Sequence, residues 1–277
     1  MCRLLAYAGP SLSLDRLVTQ PEHSLVVQSY QPQELEVALM NADGFGLGWY
    51  GPDPSSAPFV YRNTAPIWHD LNLDDLCRYV TSSCVLAYVR SATPGLAVDL
   101  SNCQPFRHGP LLFIHNGFIE RFKPTLYRPL RQLLSESAYH AIHGMTDSEH
   151  IFALWLHHLQ GPGNLSLDQA LHKTLEQLTT LAADYGVRAA ANIVVADGQK
   201  LVACRFDTTD QAPSLYWLRH HPQFPESVII ASEPLFPADW VSCPPSTLIT
   251  VQDCDLQTQP LHIPAAPDSS PAVPVAS

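Results

Sequence analysis

The chain has 277 residues, 46 % of them hydrophobic, enough to bury one large core or two modest ones. Fifteen Lys and Arg against 26 Asp and Glu give a net charge of −11, which leaves no basic stripe for nucleic acid or an anionic membrane. No stretch approaches the roughly 18 apolar residues of a membrane span, and the basic and long apolar regions of a signal peptide are missing.

The first element, in "MCRLLAYAGP", reads as a buried strand over Arg3–Ala8 closed by Gly9, with Cys2 at its tip. Chain ends fray unless something ties them down, so a thiol there needs a reason beyond packing. "NADGFGLGWY" opens the next strand, Phe45–Tyr50. Its glycines, Gly44, Gly46 and Gly48, lack the strand-to-helix setting of a phosphate loop, which argues against nucleotide binding.

Strand-like runs follow at Phe59–Arg62, Cys84–Arg90 and Leu111–His115. Arg90 ends "VLAYVRSAT", where it suits either solvent or a structural pair, or a two-pronged grip on a carboxylate. "LLFIHNGFIE" breaks its apolar run at His115-Asn116-Gly117. That corner suits a hairpin turn; it also suits an oxyanion hole, with the Asn116 amide and the Gly117 N–H as donors.

"TDSEHIFALWLHHLQ" then predicts a helix with Thr146 as N-cap and Asp147 and Glu149 in its first turn. Asp147 reads as a helix-start acid or as an acceptor for a substrate ammonium. A second helix opens at Ser166 and stops at Gly186. Strands return at Ala189–Ala196, Leu201–Phe206, Ser214–Leu218, Ser227–Ala231 and Ser246–Val251. This order predicts an α+β domain over 2–263 in which two sheets share a helical layer. The Pro-, Ala- and Ser-rich 264–277 reads as a disordered tail.

The seven cysteines are an odd number without a C-x-x-C pair, as expected for free thiols in a reducing cytosol. Thirteen histidines include "LHHL" and "RHHP", but neighbouring helix positions do not face each other. No metal and no cofactor are expected.

An N-terminal Cys2, the Arg-x-Ala-Thr strand end at Arg90, the His-Asn-Gly corner and the Thr-Asp-x-Glu helix start, in that order, resemble the class II glutamine amidotransferases, a family of N-terminal-nucleophile hydrolases. "MCRLLAYAGP", "HSLVVQSYQPQE", "NADGFGLGWY" and "ASEPL" are similar to the branch that cleaves γ-glutamyl-hercynylcysteine sulfoxide in ergothioneine biosynthesis. The resemblance implies a four-layer αββα sandwich and a cytoplasmic amidohydrolase whose partner is a small γ-glutamyl substrate. The alternative it leaves is a glutaminase or general γ-glutamyl amide hydrolase of the same fold. An acylase of the penicillin-acylase type has no need of the Arg90 and Asp147 pair, and the intact set argues against a non-catalytic relative.

Loss of Met1 would leave Cys2 as both nucleophile and bearer of the basic α-amine. By the same resemblance Asn116 and Gly117 hold the oxyanion, Arg90 the α-carboxylate and Asp147 the α-ammonium, with Thr93 and Ser91 assisting. Pro94 stands where histidine is often found in the family. Asp43 and Gly44 are expected to line the nucleophile's wall. Tyr30, Trp49 and Trp68 are candidates for aromatic contact with a trimethylammonium on the leaving amine.

Overall fold

Strand β1 (Arg3–Ser13) is buried on both faces, Leu4 and Ala6 pointing one way and Leu5 and Tyr7 the other. A strand covered on both sides belongs to an inner layer, and the architecture follows from that. The computed structural model describes residues 2–34, 40–53, 56–92, 97–209 and 211–263. Thr93, Pro94 and the 264–277 tail lie outside the described residues.

After β1 come two short helices, α1 (Asp15–Val18) and α2 (Leu25–Tyr30), then strands β2 (Phe45–Trp49) and β3 (Phe59–Asn63), helix α3 (Leu73–Tyr79) and strand β4 (Thr81–Val89). Strands β5 (Phe106–His108) and β6 (Leu111–Ile119) lead to helices α4 (Tyr127–Leu133), α5 (Glu136–His140), α6 (Asp147–Leu159) and α7 (Leu167–Asp184). Strands β7 (Ala189–Ala196), β8 (Lys200–Arg205), β9 (Tyr216–His221), β10 (Phe224–Ala231), β11 (Val241–Ser242), β12 (Thr247–Gln252) and β13 (Asp255–Pro260) complete the described chain.

Among the described residues the strands form two antiparallel sheets. One has seven strands in the order β11-β9-β10-β1-β4-β2-β3, the other six in the order β13-β12-β8-β7-β6-β5. Leu4, Leu86 and Ile230 of the first sheet pack against Ile114, Val194 and Ala203 of the second. Leu17, Leu25 and Cys77 of α1–α3 cover the outer face of the first, and Trp155, Leu171 and Leu175 of α6 and α7 cover the second. The layers therefore run αββα. The sheets touch each other directly, which corrects the expected shared helical layer: each sheet has one face for its partner and one for its own helices.

A second correction concerns the His115-Asn116-Gly117 corner. It is no turn, because β6 runs on to Ile119 with Asn116 opposite Asn192 and Gly117 opposite Ala191. Gly9 does not close β1 either. The strand continues past it with a register shift, and a Cβ at Gly9 would run into Ser227, so glycine serves close approach there.

Candidate active site

Cys2 leads into β1, which is held between β10 and β4 in the middle of its sheet, so this chain end is tied down. Its Sγ accepts from the Ser91 N–H at 3.3 Å and lies 3.5 Å from the Ser91 carbonyl. Register explains the meeting: Arg3 pairs with Val89, so the start of β1 lies beside the end of β4. Arg3 reaches back to donate to the Cys2 carbonyl at 2.7 Å, and its Nε is fixed by Glu233 at 2.6 Å. Glu233 is itself fully buried and also accepts from the His23 ring and from the Gln33 and Glu34 amides.

Arg90 follows β4 and is buried. Its backbone pairs with Asp43 and Gly44, and its Nη1 donates to the Asp43 carbonyl at 3.3 Å. The Asp43 carboxylate accepts from the Ala92 N–H at 2.8 Å, which shapes the turn after Arg90. Gly44 has φ +110°, and a Cβ there would sit 2.7 Å from the Cys103 sulfur, so only glycine fits. Cys2, Asp43, Gly44, Arg90 and Ser91 thus form one corner. Among the described residues Arg90 makes no close ion pair, and the Asp99 carboxylate feels its charge from farther away.

Asn116, on the other sheet, reaches Ser232, which in turn bonds Leu4 two residues after Cys2. The Asn116 side chain is fully buried, Nδ2 donating to the Ser232 hydroxyl at 3.4 Å and Oδ1 without a partner. At Gly117 a Cβ would collide with the Ala190 carbonyl and the His115 ring. That ring crosses the glycine to donate from Nε2 to Ala190 O at 3.1 Å, so Nδ1 is the acceptor for Ser148 Oγ at 2.9 Å. Burial pushes His115 below its ordinary value, which keeps it neutral in this role.

Asp147 is placed by the start of α6. Thr146 caps the helix by accepting from the Glu149 N–H, and the Asp147 carboxylate accepts from Ser148 N and, across to β6, from Ile119 N, both at 2.8 Å. The Glu149 carboxylate turns back to the His143 and Gly144 amides at 2.7 and 2.6 Å and fastens the loop before the helix.

Tyr88 belongs to none of the sequence motifs that mark the site. Burial, reinforced by the charge of Cys2 and a hydrogen bond to it, pushes this phenol well above its ordinary value, so it stays a neutral donor beside the thiol. Its signal was its phase: in Leu86-Ala87-Tyr88 it shares the inner face with Leu86. Arg3, Ser232 and Glu233 lie in "MCRLL" and "ASEPL" with no local mark of a role.

The three aromatic candidates do not form one cluster. Tyr30 and Trp68 meet edge to face at 5.8 Å, beside the segment in which Asn41 N donates to Ser29 O on the way to Asp43. Trp49 stacks on Phe59 at 4.7 Å opposite Val85. At about 3.3 Å per residue that is some 13 Å along β2 from Phe45. Among the described residues no group of acidic, His and Cys side chains could hold a metal, and no helix is long and apolar enough to cross a membrane.

Comparison with known proteins gives the family and the fold. The family model for class II glutamine amidotransferases matches residues 1–272. A γ-glutamyl-hercynylcysteine sulfoxide hydrolase of Mycolicibacterium smegmatis is 32 % identical over 263 residues, covering 94 % of this chain and 100 % of that protein. A probable glutamine amidotransferase of Saccharomyces cerevisiae is 29 % identical over 303 residues, covering 94 % of this chain and 84 % of that one. The solved structure of a glutamine aminotransferase class-II domain protein from Silicibacter pomeroyi superposes with a TM-score of 0.68 at 25 % identity, over 94 % of this chain and 99 % of its own. Cys2 tied to a strand end, in an αββα sandwich matched along nearly its whole length, makes this chain a member of the class II glutamine amidotransferases.

Proposed function

We propose that the chain is a cysteine-dependent amidohydrolase that releases glutamate from the γ-glutamyl amide of γ-glutamyl-hercynylcysteine sulfoxide, a step of ergothioneine biosynthesis in the cytoplasm. We read residues 2–263 as its single catalytic domain. The observation that carries this reading is the Cys2 sulfur held 3.3 Å from Ser91 N, beside a buried Arg90 that makes no ion pair among the described residues.

With Met1 removed, the α-amine of Cys2 has a reference pKa of about 7.7–8.0, low enough to take the thiol proton near neutrality. The thiolate then attacks the γ-carbonyl carbon. Negative charge collects on the carbonyl oxygen, toward the Gly117 N–H and the Asn116 Nδ2 hydrogen that Ser232 does not use. Arg90 holds the α-carboxylate, assisted by Ser91 and Thr93, and Asp147 the α-ammonium. The proton on the α-amine passes to the leaving nitrogen as the C–N bond breaks. Water, deprotonated by the same amine, cleaves the γ-glutamyl thioester and returns the thiol.

The Mycolicibacterium relative supports the sulfoxide substrate. The yeast relative favours a second reading, hydrolysis of glutamine or another γ-glutamyl amide. Both substrates should be tested on protein whose mass confirms a free Cys2. We expect the hercynyl conjugate to have the higher kcat/KM, with Tyr30 and Trp68 as the aromatic faces for its cation. Preference for glutamine would overturn the substrate assignment and leave the amidohydrolase chemistry in place.

A further inference from the structure

The proposed nucleophile and the proposed oxyanion donor stand on different sheets. Cys2 belongs to the start of β1 in the seven-stranded sheet, and Asn116 to β6 in the six-stranded one. What lies between the sheets is mostly apolar packing such as Leu4, Leu86, Ile114 and Val194, and apolar contact does not fix direction. A separation needed to within a fraction of an ångström therefore requires directional bonds across the gap.

Ser232 makes them. It continues β10 by one residue, which sets it opposite Leu4: its N–H donates to Leu4 O and its Oγ accepts from Leu4 N, both at 3.0 Å. The same Oγ accepts from Asn116 Nδ2 of the other sheet at 3.4 Å. Its carbonyl accepts from Ser214 Oγ at 2.8 Å, and Ser214 O accepts from Nδ2 of Asn192 at 3.1 Å. Asn192 is the cross-strand neighbour of Asn116 on β7. Two adjacent asparagines of one sheet thus reach over to the other, Asn116 to Ser232 beside β1 and Asn192 to the Pro213 and Ser214 carbonyls (2.9 and 3.1 Å) behind it. All of Ser232, Asn116 and Asn192 are fully buried, so water does not compete for these bonds.

We propose that Ser232 is a positioning residue, whose hydroxyl fixes the Asn116 amide to the strand that carries Cys2 and so sets the distance from sulfur to oxyanion donor. This rests on the roles proposed above for Cys2 and Asn116. The bonds of Ser232 run to Leu4, Asn116 and Ser214, so it acts through Asn116, and Ser214 backs it from behind.

The test is a double-mutant cycle on protein with a free Cys2, using whichever γ-glutamyl amide the wild type hydrolyses faster. Ser232→Ala should lower kcat about 10- to 100-fold and move KM less than about threefold, because the lost alignment matters most in the transition state. In an Asn116→Ala background the same change should cost less than about threefold more, since the two act as one unit. Alkylation of Cys2 by iodoacetamide, followed on the N-terminal peptide, should stay within about twofold of wild type, because the thiol is untouched. Should Ser232→Ala fail to fold, Ser214→Ala removes only the outer bond and should lower kcat about two- to fivefold, again without adding to Asn116→Ala.

Wild-type kcat in Ser232→Ala, full additivity with Asn116→Ala, or a collapse of Cys2 alkylation would each overturn the assignment. If Asn116→Ala itself keeps wild-type kcat, the oxyanion role fails and this inference with it. If Asn116→Ala is impaired and Ser232→Ala is not, this inference alone fails.

Discussion

A thiol whose base is its own α-amine depends on one covalent detail, the absence of anything before it. Arg3 holds the Cys2 carbonyl at 2.7 Å, so the residue is anchored from its C-terminal side and its amine is the part left to chemistry. A retained Met1 or an uncleaved N-terminal tag converts that amine to an amide of no useful basicity and adds bulk beside Ser91. Such protein should fold and melt normally yet turn over no γ-glutamyl substrate, while a C-terminal tag leaves activity intact. Mass spectrometry of each terminus, read against turnover, decides the matter: full activity with Met1 verifiably in place would sink the mechanism. Much of this residue-level picture was legible in the sequence, because Cys2, Arg90 and Asp147 sit at element ends where a chemical residue interrupts an apolar run. Ser232 and Glu233 were not legible as partners of Leu4 and Arg3. Nothing local marks a bond between residues more than 220 positions apart.

At the scale of elements, helix α6 was legible from its cap and its acids, and its buried face places two things at once, Asp147 toward β6 and His150 toward α4. The His150 ring donates from Nδ1 to the Thr146 carbonyl at 2.7 Å and accepts at Nε2 from Arg131 at 2.8 Å, so it must be neutral. Burial pushes it down to about 4; the bond to Thr146 opposes that shift and the charge of Arg131 reinforces it. An unfolded histidine takes its proton near 6.5, so between that pH and about 4 the unfolded chain is the better proton binder and stability falls as pH falls. The loss from this one group is on the order of 3 kcal/mol, and it is complete once the folded ring also protonates. Urea unfolding at pH 6.5 and pH 4.5 should therefore show a smaller drop for His150→Gln than for wild type, even though the variant starts out less stable. Equal drops would mean that the ring is already charged in the folded protein. The short helices α1 to α5 were missed because four to seven residues carry too few turns for a clear period. The run through Asn116 was misread as a corner for the opposite reason. A polar residue facing inward breaks the apolar pattern while the ladder to β7 continues beneath it.

The order of elements along the chain says little about how layers stack, and this is where the sequence misled. Strand β1 pairs with β4 on one side and with β10, from far down the chain, on the other, a choice set by tertiary packing and invisible to local periodicity. The result is two helix–sheet cores flanking one sheet–sheet core, and only the central one separates Cys2 from Asn116. Two equal deletions should therefore have unequal consequences. Leu86→Ala opens a cavity in the central layer, where Leu86 pairs with Ala6 of the nucleophile's strand; Leu175→Ala opens one between α7 and the outer face of its sheet. Both leucines are fully buried, so each change should cost about 2–5 kcal/mol of stability. Partial collapse of the central cavity shifts one sheet against the other and misaligns thiol and amide, for which we expect kcat to fall about tenfold or more. Collapse of the outer cavity moves a helix on the far side of β6 and β7, and kcat should stay within about twofold of wild type. Assays run well below both melting temperatures, with stability measured on the same samples, separate the two effects. If Leu175→Ala loses as much kcat as Leu86→Ala at matched stability, the inter-sheet spacing is not what sets the site.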